Sequence, residues 1–308
     1  MATANYIRRL DKEFIQIMKL VGIPAYNEQG TIGDMVKKSL QYSDKVIVID
    51  DGSSDNTATI AKQSGATVIS HQKNQGYGAA VITLFDRARQ ENADILTIID
   101  GDGQHDPGQI PLLVNTLQEN NVDVVIGSRF LDNKSDAPGY RKRGIKIITS
   151  AANFGADFKV SDAQSGFRSY SKQAIESIHP TETGMSVSTE ILLKISNKGL
   201  SVAEVPITVS YNGDTSTEHP VPHGIAVLMN TLKFVSVKHP IAFYGLPGIA
   251  LVVIGSILGY QFLDAYLHKQ VVFLGSFMAA IILFLVGTIL CVTAVILFSM
   301  ATLIREKN

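Results

Sequence analysis

The sequence predicts an α/β domain with a mostly parallel sheet, followed by a C-terminal hairpin of two membrane-spanning helices. Short apolar runs alternate with amphipathic stretches over the first two-thirds of the 308 residues, a pattern typical of βαβ units. Beyond about residue 239, formal charge almost vanishes. We therefore expect an α/β domain over 1–224, an interfacial amphipathic segment over 225–239, and a hairpin with a short tail over 240–308.

The individual elements follow from the apolar runs and the turn residues between them. The candidate strands are 15–23, 45–50, 66–70, 94–99 and 122–127. The candidate helices are 31–42, 56–64, 78–92 and 108–119.

Composition narrows the class of partner. The 27 basic and 28 acidic residues nearly cancel, so no global field steers the chain toward nucleic acid. The one cysteine, Cys291, rules out an intrachain disulfide. The charged start lacks the apolar core of a signal peptide, so we expect the α/β domain in the cytosol.

Two uncharged stretches, 240–263 and 270–304, are long enough for helices that cross a bilayer, and we place the helices at about 240–263 and 271–304. Two buried core helices are the alternative. Lys233 and Lys238 precede the hairpin, and Arg305 and Lys307 follow it. The loop between the two helices contains only one basic residue of this kind, Lys269. This bias predicts that both termini are cytoplasmic.

The segment before the hairpin has apolar residues at helical spacing: Ile225, Leu228, Met229, Leu232 and Val235. Such a helix could lie on the bilayer surface. An amphipathic helix packed on the α/β domain would show the same pattern.

Polar motifs follow three of the predicted strands. They are Pro24-Ala25-Tyr26-Asn27-Glu28, Asp50-Asp51-Gly52-Ser53 and Asp100-Gly101-Asp102-Gly103-Gln104. In open α/β sheets, ligands bind beyond the carboxyl ends of the strands. We therefore expect the three motifs to share one edge of the sheet and to form a site.

Asp100 and Asp102 are the strongest chemical signal. Two carboxylates this close repel unless a cation lies between them, and Mg²⁺ or Mn²⁺ suits such a site. The metal would neutralise a leaving diphosphate. A functionless Asp-Gly turn is the alternative; His105 and Pro111 exclude an EF-hand, and the histidines show no zinc-ligand spacing.

Three further features are weaker signals than the aspartate pair. A carboxylate at Asp50-Asp51 could bind a base or ribose, or cap the following helix. Gly76-Tyr77-Gly78 is only a weak dinucleotide fingerprint, because Val81 replaces the third glycine. A basic cluster could bind an anionic lipid headgroup or form a solvated face; it comprises Arg129, Arg141, Lys142, Arg143 and Lys146.

Taken together, these motifs resemble the family 2 glycosyltransferases with a GT-A fold, in the branch of dolichyl-phosphate mannose synthase. The matching segments span about residues 17–215 and are Ile23–Glu28, Val48–Asp55, Asn74–Ala80, Asp100–Pro107, Gly127–Phe130 and Asp162–Arg168. The resemblance implies inverting transfer of a sugar from a GDP- or UDP-linked donor to a polyprenyl or dolichyl phosphate.

The resemblance also implies roles for residues. The nucleotide pocket would be lined by Pro24, Ala25, Tyr26, Glu28 and Asp51. The metal and diphosphate would be held by Asp100, Asp102 and Gln104, and the acceptor phosphate by Arg129 and Arg141. A phosphate monoester is already anionic at neutral pH, so we expect no obligatory general base.

The chain departs from that branch at two places. Tyr77 stands where relatives often have a lysine, which leaves diphosphate contacts there in question. Relatives place a serine where Ile145 and Lys146 lie, so Lys146 could substitute, or Arg143 could fill the role of Arg141. The resemblance further marks His219 and His223 as diphosphate donors, with a plain linker as the alternative. It marks Glu190 as a sugar or lipid contact, with a helix-start carboxylate as the alternative.

Three other functions compete. A processive polysaccharide synthase would use a tryptophan motif, and this chain contains no tryptophan. A catalytically inactive nucleotide-sugar sensor is opposed by the intact aspartate pair. An enzyme with a non-lipid hydroxyl acceptor is opposed by the basic cluster and the hairpin. The donor sugar stays open among GDP-mannose, UDP-glucose and UDP-N-acetylglucosamine.

Overall fold

The computed structural model describes residues 17–132, 139–210, 220–269 and 274–307. The strands are β1 (Lys19–Ala25), β2 (Lys45–Asp50), β3 (Thr67–Ser70), β4 (Ile95–Ile98), β5 (Val124–Ser128), β6 (Arg168–Ser171) and β7 (Val202–Pro206). The helices of the α/β unit are α1 (Ile32–Ser39), α2 (Thr57–Gln63), α3 (Tyr77–Gln90), α4 (Ile110–Glu119), α5 (Gly139–Gly155), α6 (Lys172–Ser177) and α7 (Val187–Asn197). They are followed by α8 (Pro220–Lys238), a π-helical turn (Ile241–Gly245), α9 (Leu246–Lys269) and α10 (Leu274–Lys307).

The described strands form one sheet in the order β3-β2-β1-β4-β6-β5-β7. Only β6 runs antiparallel to its neighbours, β4 and β5, so the predicted mostly parallel sheet is confirmed. The sequence pattern did not reveal β6 or β7.

The first strand was predicted two residues too early at its end. It runs to Ala25 because its ladder with β2 continues until Ala25 pairs with Asp50. Pro24 and Ala25 therefore belong to the strand rather than to the loop after it. Residues 15 and 16 of the predicted strand lie outside the described part of the chain.

Successive apolar side chains of the inner strands belong to two hydrophobic cores, one on each face of the sheet. Val46 and Val48 belong to the core that contains Leu113, whereas Ile47 and Ile49 belong to the core that contains Leu84. Successive side chains of a strand point to opposite faces, which explains this division. Each fully buried aliphatic side chain contributes about 1.5–3 kcal/mol, so the sheet is a rigid base for the loops at its edge.

The chain divides into two compact units, Met1–Leu228 and Met229–Asn308. In the second unit, Ile241–His268 and Leu274–Leu303 are long and apolar enough to cross a membrane. Only 17% and 11% of their most apolar windows are buried within the protein. A core helix of a globular protein would be mostly buried, so the buried-helix interpretation fails. Within α8, Met229 of the predicted apolar stripe is exposed, and Val235 is buried.

The two long helices pack through glycines. A Cβ atom at Gly287 would lie 2.6 Å from the carbonyl oxygen of Gly248, and one at Gly255 would lie 2.8 Å from the amide nitrogen of Phe284. Backbones can approach this closely only where side chains are absent.

Gly287→Val should therefore force α9 and α10 apart and lower the stability of the hairpin by about 2 kcal/mol. Thermal unfolding of the purified full-length protein in detergent measures the effect. Gly275→Val is the control, because a Cβ atom there meets no described atom within 4 Å. Equal melting temperatures for the two variants would contradict the glycine contact.

Candidate active site

The carboxyl ends of β1, β2 and β4 meet at one edge of the sheet. β1 lies between the other two strands, and the amide of Asp51 donates to the carbonyl of Ala25 at 2.9 Å. The hydroxyl of Thr31 donates to the carbonyl of Gly101 at 2.7 Å, which joins the first loop to the Asp-Gly-Asp loop. The prediction that the three motifs share one edge is confirmed.

The loops after β1 and β2 are held to each other by polar side chains. The amide of Asn27 donates to Ser53 Oγ at 2.9 Å, and Asn27 Oδ1 accepts from the amide of Ser54 at 2.9 Å. Asn27 has a φ of 58°, a left-handed conformation that asparagine tolerates better than most residues. These contacts leave Tyr26 exposed at the edge.

Asp51 organises a third loop, the one that leads into α3. Its carboxylate accepts the amides of Gln75 at 3.0 Å and Gly76 at 2.8 Å, and it lies 2.6 Å from His71 Nδ1. The side chain is buried. Asp51 thus shapes the loop beside the predicted nucleotide pocket, and its direct contact with a nucleotide stays a prediction.

Three acidic side chains gather at the same edge. Burial raises the pKa of Asp100, although Tyr77 and Arg129 oppose the shift. Burial and then the charge of Asp100 raise the pKa of Asp102. Burial and then the charge of Asp102 raise the pKa of Glu28 to about 7. Each carboxylate is costly to ionise here because nearby positive charge is insufficient.

The shortage of positive charge near these carboxylates is what a bound divalent cation would supply. Asp100 Oδ1 is buried and has no hydrogen-bond partner among the described residues, and a carboxylate oxygen of this kind can coordinate a hard divalent cation. Asp102 Oδ1 accepts the amide of Gln104 at 2.9 Å, which fixes the second carboxylate. In the described ranges no group of three or more His, Cys, Asp or Glu residues is arranged to hold a metal. The remaining positions around a cation would therefore fall to water and to ligand oxygens.

Glu28→Gln should stabilise the protein at pH 8 and have little effect at pH 5. The folded-state pKa of about 7 exceeds the ordinary 4.5, so stability falls as pH rises through this window and the full cost applies above pH 7. The amide removes that cost, about 1 kcal/mol after allowance for solvent screening. Thermal unfolding in EDTA at the two pH values measures it; an equal shift at both would contradict the pKa.

The segment 162–168 closes over Asp100. A Cβ atom at Gly166 would lie 2.7 Å from both Asp100 Oδ2 and the Tyr77 hydroxyl oxygen, so a larger residue there would displace these two side chains. The Tyr77 hydroxyl interacts with Asp100 and opposes the rise in the pKa of that carboxyl. Tyr77, at the position where the resemblance led us to expect a lysine, therefore lies beside a carboxylate of the site.

Arg168 holds the shape of this segment from beneath. Its guanidinium is fully buried and donates to the carbonyls of Ser165 at 2.8 Å, Ser188 at 2.9 Å and Ala163 at 2.8 Å. Because carbonyls rather than carboxylates surround it, its positive charge also acts on Asp100 and opposes the rise in that residue's pKa. The motif had marked Arg168, but nothing in the sequence indicated this role.

His105 is a second residue whose place the sequence did not reveal. It is buried, its Nε2 lies 3.7 Å from Asp100 Oδ2, and its ring packs 5.5 Å from that of Phe167. Burial and then the charge of Arg129 lower its pKa to about 4, so the ring is neutral at pH 7. It adds no positive charge to the acidic cluster.

Arg129 stands at the end of β5 and is paired with Asp162. Arg129 Nε lies 2.6 Å from Asp162 Oδ2, and Nη2 lies 2.8 Å from Oδ1. The guanidinium is close enough to Asp100 to lower that residue's pKa. One of the two arginines predicted to bind an acceptor phosphate is therefore fixed beside the acidic cluster.

The rest of the basic cluster lies on α5. Arg143 and Lys146 are exposed, whereas Ile145 is buried and faces the domain. The side chain of Arg141 lies outside the described part. The predictions that Arg141, Arg143 or Lys146 binds phosphate stay open.

Glu190 has a structural role in the described contacts. Its carboxylate accepts the amides of Thr181 at 3.0 Å and Glu182 at 2.9 Å and pairs with Lys194 at 2.8 Å. Burial alone would raise its pKa, but Lys194 and these donors lower it. His219 and the side chain of His223 lie outside the described part, so their predicted roles stay predictions.

Comparison with known proteins identifies related sequences and similar folds. Residues 20–178, more than half of the chain, match the family model described as Glycosyl transferase family 2. The UDP-N-acetylglucosamine–dolichyl-phosphate N-acetylglucosaminyltransferase of Methanococcus voltae is 30% identical over 229 residues, which cover 67% of this chain and 89% of that protein. The polyprenol monophosphomannose synthase of Mycolicibacterium smegmatis is 28% identical over 202 residues, which cover 61% of this chain and 76% of that protein.

Among solved structures, glucosyl-3-phosphoglycerate synthase from Mycobacterium tuberculosis, in complex with Mn²⁺, uridine diphosphate and glucosyl-3-phosphoglycerate, superimposes with a TM-score of 0.58. It is 22% identical, and the match covers 72% of this chain and 80% of that one. The likeness confirms the expected GT-A fold.

Proposed function

Because this chain belongs to glycosyl transferase family 2, we propose that it transfers a sugar from a nucleotide sugar to the phosphate of a polyprenyl phosphate. It is a glycosyltransferase by family. Its curated relatives include enzymes that act on dolichyl or polyprenyl phosphate, which supports the lipid acceptor. Those two relatives use different sugars, so the donor is the part of the reaction they leave undecided.

One observation carries the proposal: an acidic cluster without enough positive charge lies beside a half-buried arginine whose orientation is fixed by Asp162. Asp100 and Asp102 offer oxygens to a cation, and Arg129 acts on Asp100 from the end of β5. A cation site next to an anion site suits a reaction between a diphosphate-activated sugar and a phosphate.

Different residues around the cluster would bind different parts of the nucleotide sugar. Pro24, Ala25, Tyr26, Glu28 and Asp51 would surround the nucleotide. Asp100 and Asp102, with Gln104 beside them, would hold Mg²⁺ or Mn²⁺. The bound ion would neutralise charge on the departing diphosphate.

The acceptor needs positioning more than activation. Its phosphate oxygen carries negative charge at neutral pH, attacks the anomeric carbon and forms the new carbon–oxygen bond as the bond to the nucleoside diphosphate breaks. Attack from the face opposite the leaving group inverts the anomeric configuration. Arg129, with Arg141, would hold the acceptor phosphate in line, and no proton has to leave the nucleophile.

The two apolar helices would keep the active site at the membrane surface. An anchor that spans the bilayer keeps the enzyme at the surface where a polyprenyl phosphate exposes its headgroup. The charge bias of Lys233, Lys238, Arg305 and Lys307 over Lys269 supports a cytoplasmic catalytic domain with both termini on the same side. Soluble nucleotide sugars of the cytosol would then reach the site.

The test uses purified full-length protein in lipid, with polyprenyl phosphate, Mn²⁺ or Mg²⁺, and GDP-mannose, UDP-glucose or UDP-N-acetylglucosamine. Mass spectrometry of the lipid fraction should show a phosphate-linked monosaccharide with one of these donors, and EDTA should abolish it. Donor binding without any transfer would favour the sensor. Transfer to a soluble hydroxyl compound but not to lipid would favour the non-lipid acceptor.

A further inference from the structure

The environment of Arg129 contains a second, deeper layer of charged side chains. Asp162 has no exposed surface, and both of its oxygens contact Arg129, at 2.6 Å to Nε and 2.8 Å to Nη2. The amide of Arg129 also donates to Asp162 Oδ2, at 3.3 Å. Parallel contacts to one edge of a guanidinium fix its plane as well as its position.

Asp162 is itself held in place from behind. Glu204, on β7, accepts the amide of Ser161 at 2.8 Å and the amide of Asp162 at 3.2 Å. The hydroxyl of Ser161 also lies 2.5 Å from that of Ser128, the residue before Arg129. The aspartate, its backbone and the arginine therefore belong to one network that spans β5 and β7.

We propose that Asp162 is the positioning residue that orients Arg129 toward the acceptor phosphate, and that Glu204 anchors Asp162 for this task. The inference rests on the proposed function for the identity of the acceptor. An unpaired arginine samples many rotamers, and fixing one of them in advance removes that entropy cost from acceptor binding.

The same contacts argue against Asp162 as a general base. Both carboxylate oxygens are occupied by the guanidinium, and Asp162 Oδ1 also accepts the amide of Gln164 at 3.2 Å. The side chain has no exposed surface through which to reach a substrate proton. Its effect on catalysis is therefore indirect, and its two strongest contacts assign that effect to Arg129.

Asp162→Asn tests this in the full-length protein, because the amide keeps the size and loses the charge. We expect the KM for polyprenyl phosphate to rise about tenfold or more, with the KM for the nucleotide sugar within about twofold of wild type. Asp162→Glu, which keeps the charge, should recover part of the acceptor KM. In an Arg129→Met background, Asp162→Asn should change the acceptor KM no further.

Asp123→Asn is the matched control. Asp123 lies before β5, at the other end of the same strands, and accepts the amide and hydroxyl of Ser201 at 2.8 and 2.7 Å. Its loss should lower the melting temperature without changing the acceptor KM. A fall in kcat at unchanged acceptor KM in Asp162→Asn, or additive effects with Arg129→Met, would overturn the positioning role.

A second measurement does not depend on transfer. Phenylglyoxal modifies accessible arginines, and mass spectrometry can follow the peptide that contains Arg129. Asp162→Asn should raise the labelling rate of Arg129 about fivefold or more, since the guanidinium loses its bidentate partner, and Asp123→Asn should leave it unchanged. Unchanged labelling in Asp162→Asn refutes the inference. Absence of transfer by the wild-type protein, with labelling as expected, refutes only the proposed acceptor.

Discussion

Asp102→Asn should reduce sugar transfer about a thousandfold while the protein stays folded. The amide has nearly the same shape but no charge, so it weakens the cation site without opening the fold. The same change removes one of two interacting, half-buried charges, and partial burial together with the charge of Asp100 already raises the pKa of Asp102. We therefore expect the melting temperature in EDTA to stay the same or to rise. Initial transfer rates and thermal unfolding measure the two effects.

Asp106→Asn is the control for this prediction. It makes the same change four residues away, where Asp106 is exposed and caps a short 3-10 helix through the amide of Gly108 at 3.0 Å. Near-wild-type transfer is expected. An Asp102→Asn enzyme that keeps most of its rate would show that the second aspartate does not hold the cation, as would full wild-type activity in excess chelator.

The location of the site could be predicted from sequence because it depends on local features. Apolar runs mark the inner strands, and a parallel sheet brings their carboxyl ends to one edge, so Ala25, Asp50 and Asp100 had to converge. β6 could not be found in this way. Its four residues, Arg168–Ser171, contain a buried arginine, and they pair between β4 and β5 through contacts far apart in the chain.

The roles of individual charged residues were harder to predict, because the sequence does not show which side chains contact each other in the fold. Arg129 and Asp162 are 33 residues apart, and their pairing depends on how β5 and the segment 162–168 meet. Glu190 had two interpretations from sequence, and only its contacts with Thr181 and Lys194 give it a structural role. Long-range pairing of charged side chains has no periodicity that a sequence could display.

The contacts of the Gly76-Tyr77-Gly78 segment could not be predicted from sequence either, because its partners are distant in the chain. In dinucleotide-binding loops such glycines let the backbone approach a phosphate, and from the sequence this segment was only a weak example of that fingerprint. Here the close approach is to the protein: a Cβ atom at Gly78 would lie 2.1 Å from the carbonyl oxygen of Glu182, and one at Gly76 would lie 2.6 Å from that of Thr183. The amide of Ala79 also donates to the carbonyl of Thr183 at 3.2 Å.

Gly78→Ala should therefore destabilise the protein by about 3 kcal/mol, because backbone atoms of two elements must move apart. The direction of the change in stability distinguishes the tertiary contact from helix propensity. Gly78 is the second residue of α3, where alanine would by itself favour the helix by about 1 kcal/mol. Denaturant unfolding measures the stability, and the apparent donor KM should rise because the loop that carries Gln75 and Gly76 shifts with α3.

Gly184→Ala provides the comparison from the opposing segment. A Cβ atom there meets no described atom within 4 Å, and the residue does not have a positive φ. Its stability should stay within about 0.5 kcal/mol of wild type. If Gly78→Ala is as stable as Gly184→Ala but loses nucleotide binding, the glycine serves the donor after all. If it unfolds more easily and the remaining folded fraction binds the donor less tightly, the glycine-rich loop depends on α3 and the 182–184 backbone for its position.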